Sequence, residues 1–206
     1  FVGNPEGGAV GADGTVLSSD DAGGSWTQQN GIISADETWA VADSPFQVTG
    51  NVLVESGATL TIEAGVTVKF DSGTGLQIKG ELLARGTSVS PIVFTSSQSS
   101  PAKGDWAAID FFDQATDAVF DSNGDYASGS IIEYAQIRYG GGGGKSAAVT
   151  ATNAALFLNQ LTVDYSDSSG IAVIGVSGGG TIPVTKITNS TISNNDSSGV
   201  SCECYR

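Results

Sequence analysis

The chain of 206 residues contains no histidine, eight Lys and Arg, and 22 Asp and Glu. Without imidazole there is no Ser-His-Asp or Cys-His triad, and the commonest general base and zinc ligand are missing. Chemistry is left to carboxylates, a few cations and two cysteines. Asp121, Asn123 and Asp125 stand at i, i+2 and i+4, the opening of an oxygen-ligand loop for calcium. The pattern then departs: position six is Tyr126 instead of glycine, and position twelve is Ile132, with Glu133 one residue late. A plain Asp/Asn/Gly turn is the competing reading. Cys202 and Cys204 sit at i, i+2 in a strand-like run, so their side chains share a face and a direct bridge between them is strained. They are read either as two small interior residues or as thiols that bridge to another chain or bind metal.

These residues must be positioned by β-structure, because no helical periodicity competes. Between Gly50 and Ser96 lie Val52-Leu53-Val54, Leu60-Thr61-Ile62, Val66 to Phe70, Leu76-Gln77-Ile78, Leu82-Leu83-Ala84 and Ile92-Val93-Phe94. Each is a short alternating run of the half-buried strand type, and glycine-bearing corners separate them. The spacing says more than the runs. Val52 and Leu76 are 24 residues apart, Leu60 and Leu82 are 22, and Val68 and Ile92 are 24. Three strand positions recurring together at a near-constant offset describe a solenoid turn, not a hairpin. Later, Asp167-Ser-Ser-Gly170 and Asp196-Ser-Ser-Gly199 repeat at an offset of 29, as do Val163/Ile192 and Gln160/Asn189. Stacking places Gln160 and Asn189 above one another, where side-chain amides form a ladder along the stack.

The strings VLVESGATLTIEAGVTVKF (52–70), GLQIKGELLARGT, PIVFTS, GDWAAIDF and GSIIEYAQIRYGG resemble the repeats of right-handed parallel β-helix proteins of the bacterial secreted and surface type. The resemblance runs from about Asp43 to Cys204. It implies an all-β chain, a right-handed parallel β-helix (β-solenoid) of about six or seven coils. It implies little about activity, since one coil architecture hosts lyases, adhesins and stalks. The clustered Asp residues and Gly-His-Gly of β-helix polygalacturonases have no counterpart here. β-Helix pectate lyases pair carboxylate-bound calcium with an Arg or Lys base, for which the candidates are Lys69, Lys79, Arg85, Arg138 and Lys186. Arg138, beside Tyr139 and near Glu133, is the strongest of these; Lys69 and Lys79 fall at outward positions suited to solvated charge.

Residues 1–35 differ. Ser19, Asp21, Gly23 and Trp26 match the Asp-box pattern Ser-x-Asp-x-Gly-x-x-Trp, which resembles a β-hairpin turn found in sialidase and other propeller blades. A single copy is a structural device, because a propeller needs several blades. Residues 36–49, with Trp39 and Pro45-Phe46, are expected to cap the first coil. The segment Phe120–Tyr126 reads as a turn-rich excursion, and Gly140–Gly144 as a flexible or very close corner.

Charge narrows the partners. A net charge of −14 gives no basic face for nucleic acid or anionic membranes, and no run reaches membrane-spanning length. A Thr-x-Thr ice-binding row also fails, because Thr59 and Thr61 give way to Glu81 and Leu83 one coil on. The expected organisation is an Asp-box hairpin over residues 1–35 and a parallel β-helix over 36–206, read as truncated or open at its C-terminal end. The expected function is a non-catalytic extracellular or cell-surface module: a stalk, an adhesin segment or a filament subunit stacking head to tail on itself. The alternative is a polysaccharide-binding or polysaccharide-cleaving β-helix protein. Calcium is the expected inorganic partner, with a further copy of the chain or an extracellular glycan as the macromolecular one.

Overall fold

A computed structural model describes residues 9–10, 16–19, 25–176 and 183–205. The chain opens with β1 (Ala9–Val10) and β2 (Val16–Ser19), which pair antiparallel, and β3 (Ser25–Ile33), which pairs antiparallel with β2 and parallel with β5. From there the chain winds. The first full coil holds β4 (Glu37–Trp39) and the bent β5 (Phe46–Val54), with a 3-10 turn at Val41–Asp43 between them. The second holds β6 (Thr59–Ile62), β7 (Thr67–Phe70) and β8 (Leu76–Ile78). The third holds β9 (Glu81–Arg85), β10 (Ile92–Ser96) and β11 (Ile109–Phe111). A small antiparallel hairpin, β12 (Val119–Phe120) and β13 (Tyr126–Ser128), interrupts the winding. Then come β14 (Ile131–Glu133), β15 (Ala135–Arg138) and β16 (Ala147–Thr152), followed by β17 (Phe157–Asn159), β18 (Thr162–Asp164) and β19 (Ser169–Val176). The last coil holds β20 (Lys186–Thr188), β21 (Thr191–Ser193) and β22 (Val200–Tyr205).

Six coils thus follow the partial one made by β3, and the fold is a right-handed parallel β-helix. The first sheet runs β4-β6-β9-β14-β17-β20. The second runs β5-β7-β10-β15-β18-β21, and the third β5-β8-β11-β16-β19-β22, because β5 bends and serves both. The ladder already includes Thr27 to Ile33 of β3, so the solenoid reaches back into the segment read as a separate hairpin.

The interior is built from in-register rows. In the second sheet Phe46, Val68, Phe94, Ile137, Val163 and Ile192 lie one above another. In the first sheet the row is Trp39, Ile62, Ala84, Ile132, Leu158 and Ile187. The third carries Val52, Leu76, Ile109, Val149 and Ile171. Alternation sends every second residue inward, and stacking at about 4.8 Å makes each inward residue the neighbour of its equivalents. These rows merge into one core. Stacked rings thicken it: Trp39 on Phe46 at 5.1 Å between centroids, and Phe70 on Trp106 at 4.2 Å.

Several expectations shift. Val52–Leu76 and Leu60–Leu82 are register partners, but Val68 lies opposite Phe94, not Ile92. The longer corner around Gly86–Pro91 raises the offset from 22 residues in the first sheet to 26 in the second, and an even slip leaves the inward face unchanged. Residues 36–49 do not cap the first coil; Trp39 and Phe46 are fully inside it. Gly140–Gly144 is a close corner in its first half. A Cβ on Gly142 would stand 2.0 Å from the Gly104 carbonyl oxygen, and one on Gly140 would stand 2.9 Å from the Trp106 ring.

Gly80 and Gly57 offer a test of which constraint dominates. Gly57 has φ +90° with open space around it, whereas a Cβ on Gly80 would lie 2.2 Å from the backbone oxygens of both Ala58 and Glu55. Gly57→Ala is expected to cost about 1–2 kcal/mol in urea unfolding, the price of a left-handed L-residue. Gly80→Ala is expected to cost clearly more, because coils must separate to admit the methyl group.

Candidate functional site

The polar chemistry of the chain sits on the outside, where register decides which side chains meet. At the trailing end of the first sheet, Arg85, Glu133, Asn159 and Thr188 are successive partners in the ladder. Arg85 Nε and Nη2 donate to Glu133 Oε2 at 3.2 and 3.1 Å, Asn159 Nδ2 donates to Glu133 Oε1 at 2.8 Å, and Thr188 Oγ1 donates to Asn159 Oδ1 at 2.9 Å. Asn189 Nδ2 adds a donor to the same Asn159 oxygen at 3.0 Å. The side-chain ladder expected at Gln160 and Asn189 therefore centres one residue earlier. Gln160 (φ 56°) and Asn189 (φ 50°), together with Tyr134 (φ 47°), make the left-handed corners that swing the chain from the first sheet to the second.

On the second sheet, Arg138 and Asp164 are register partners with Nε 3.1 Å from Oδ1. Glu133, the expected neighbour of Arg138, instead ends the first sheet on the far side of the Tyr134 corner and is taken by Arg85. Asp164 is only 6% exposed although its strand position points outward. Burial raises its pKa above the ordinary aspartate value, and the Arg138 guanidinium offsets part of that rise. Beside the pair, Tyr139 and Tyr165 occupy the next left-handed corners and stack with centroids 5.5 Å apart. Trp106 Nε1, from the coil beneath, donates to the Arg138 carbonyl oxygen at 2.7 Å.

The segment read as a turn-rich excursion is the hairpin β12–β13, and it packs on the outside of the first sheet. There the outward row is apolar: Leu83, Ile131 and Phe157 are register partners, followed by Lys186. Tyr126 stacks on Phe157 at 5.5 Å and Phe120 meets the same ring edge-on at 5.7 Å. Lys186 Nζ donates to the Gly124 carbonyl oxygen at 2.6 Å and lies 5.2 Å from the Phe120 ring, while Arg85 lies 5.6 Å from the Tyr126 ring. The doublets Leu82-Leu83 and Ile131-Ile132 were the available signal, since two adjacent apolar residues in a strand require both faces to be covered.

The hairpin turn holds the candidate calcium ligands. Asp121 Oδ1 accepts the backbone N–H groups of Asn123 and Asp125 at 2.8 and 2.9 Å. Those bonds, from Asp125 first and Asn123 second, hold the Asp121 carboxyl below the ordinary aspartate value. Among the described residues no group of three or more His, Cys, Asp or Glu side chains is placed to hold a metal ion.

The remaining described cations also have partners. Lys145 Nζ lies 2.6 Å from Asp110 Oδ2, and Lys103 pairs with Asp196 three coils away along the stack. Lys69 Nζ sits 4.1 Å above the Trp26 ring, and Lys79 Nζ lies 5.9 Å from that of Phe112. Of the Asp-box residues, Trp26 lies in β3 and Ser19 in the backbone of β2, whereas Asp21 and Gly23 fall outside the described residues. Cys202 continues the inward row of Phe111, Ala151 and Val173, yet in the last coil it is exposed and free. Cys204 is placed only as backbone in β22, so the relation between the two thiols lies outside the described side chains.

Parallel coils with an aliphatic interior and polar ladders outside define a β-solenoid. Residues 31–166 match the family of pectate-lyase-like β-helix domains, and the chain belongs to that family. It is also similar to Protein bark beetle of Drosophila melanogaster, with 40% identity over 72 residues, 35% of this chain and 2% of that protein. The chain thus spans a very small part of that relative's length. No solved structure matches it.

The two perturbed aspartates have opposite signatures. Asp164, with its folded pKa raised, contributes stability that is present below the ordinary aspartate pKa and lost as pH rises through the folded value. Asp164→Asn is therefore expected to gain on the native chain in urea midpoint between about pH 4 and pH 7. Asp121, with its folded pKa lowered, contributes stability that is present above the ordinary value and lost as pH falls through the folded one. Asp121→Asn is expected to lose against the native chain at pH 7, with the gap closing in acid.

Proposed function

We propose that this chain is a non-catalytic structural module, a stiff spacer on a secreted or surface-exposed protein. The observation that carries the reading is the use made of the cations. All seven described Lys and Arg side chains are engaged with other parts of the chain, and five of them join neighbouring or distant coils through an ion pair or a backbone carbonyl. A β-elimination base must stand free beside its substrate and a carboxylate-bound cation. Arg138, the best candidate, is held against the buried Asp164 carboxyl, and Lys186 is held by a hairpin carbonyl. We assign Asp121 to holding the hairpin turn, where its Oδ1 accepts the Asn123 and Asp125 N–H groups. An acidic exterior with its positive charge consumed internally also suits a chain that remains dispersed in a crowded extracellular space.

A glycan-binding reading is favoured by one feature, the Tyr139–Tyr165 stack beside Arg138, with Tyr165 39% exposed. Sugar rings pack on such aromatic faces. Both readings are tested on polygalacturonate and a panel of neutral polysaccharides, with and without calcium. The expected result is no unsaturated product under any condition. Product formation that Arg138→Ala abolishes would establish the lyase alternative instead. Retention on a polysaccharide gel that Tyr165→Ala removes, without turnover, would make the module a binding one.

A further inference from the structure

Two segments carry the pattern Asn-x-Ser/Thr without proline: Asn189-Ser190-Thr191 and Asn195-Asp196-Ser197. This is the acceptor signature for N-linked glycosylation. The structure treats the two asparagines differently. Asn189 is exposed at the left-handed corner between β20 and β21, and Thr191, the hydroxyl residue of its signature, is exposed at the start of β21. Its Nδ2 makes one hydrogen bond, to Asn159 Oδ1. An amide nitrogen carries two hydrogens, so the second is free to be replaced while the first keeps the ladder intact.

Asn195 is turned inward. Its Oδ1 accepts the Ser166 N–H at 2.9 Å and its Nδ2 donates to the Val163 carbonyl oxygen at 3.3 Å, both one coil below. The nitrogen is so close to the chain that a methyl group on Gly170 would stand 2.8 Å from it. A sugar on that nitrogen must push the corner between β21 and β22 off the corner between β18 and β19 that it stacks on.

We propose that Asn189 is an N-glycosylation site of this module and that Asn195 is not. The inference rests on the extracellular reading above. In the reaction Asn189 Nδ2 attacks the anomeric carbon of an oligosaccharide carried on a polyprenyl diphosphate. A C–N bond forms, the C–O bond to the diphosphate breaks, the amide gives up one proton, and the polyprenyl diphosphate leaves. No electrons are exchanged with any other group. The attached glycan projects from the corner row formed by Tyr134, Gln160 and Asn189.

The test is expression of the full chain behind a secretion signal in insect cells, followed by peptide-N-glycosidase treatment and peptide mapping of medium and lysate. The expected result is a single enzyme-sensitive glycan, mapped to Asn189, on protein in the medium. It should vanish in both Asn189→Gln and Thr191→Ala, the second of which leaves the ladder amide in place. Secreted protein bare at Asn189, or secreted and folded protein carrying the glycan at Asn195, overturns the proposal. A glycan that survives Thr191→Ala overturns it as well. Retention of the chain inside the cells counts against the extracellular reading, and mapping of the retained protein still decides the state of Asn189.

Discussion

The structure depends on parallel, in-register stacking of one coil upon the next. A single coil of three short strands buries nothing by itself: its inward side chains meet only across a thin triangle, and its backbone groups point along the axis. Stacking at about 4.8 Å solves both problems together, pairing each strand inside the stack with two neighbours and converting isolated aliphatic residues into continuous rows. The row from Phe46 through Val68, Phe94, Ile137 and Val163 to Ile192 shows the result. Each member is buried largely by residues distant in sequence and adjacent in space, so the core is cooperative along the axis. The same constraint selects the corners. Where backbones of successive coils close on one another, as at Gly80 and Gly142, no Cβ fits.

Stacking also organises the exterior. Side chains at equivalent positions stand one strand spacing apart, close enough for direct hydrogen bonds or ion pairs. Arg85, Glu133, Asn159 and Thr188 therefore form a chain of contacts without belonging to any local motif. Individually such exposed pairs contribute little, on the order of 1 kcal/mol or less. Their significance lies in what they remove. In a chain with so few basic residues, each cation turned toward a neighbouring coil is one fewer available to a substrate.

Much of this architecture was legible because β-helices repeat their physics at short range. The alternating runs, the glycine corners and offsets of 22 to 29 residues identify coils, and Val163 and Ile192 stack as their spacing implies. The register failed at Val68 because a corner changed length between one coil and the next, and offset counting assumes that corners are equal. Residues 36–49 were misplaced for a related reason. Trp39 and Phe46 are bulky aromatics in an irregular stretch, and only the stacked arrangement shows that they fill the first coil's interior. The hairpin over the first sheet was missed because its partners, Phe157 and Lys186, lie some 30 to 60 residues downstream.

The amino-acid sequence by itself determined the class of fold, the inward face of most strands, the acidic exterior and the lack of histidine chemistry. Those follow from residue type and from a period of two, which are local quantities. The tertiary structure alone decided which charged side chain meets which. Arg138 faces Asp164 and not Glu133, and Asn189 is open where Asn195 is closed. The physical reason is that pairing across coils depends on the summed length of every corner between the two residues, a non-local quantity that stacking resolves only when the whole solenoid is wound.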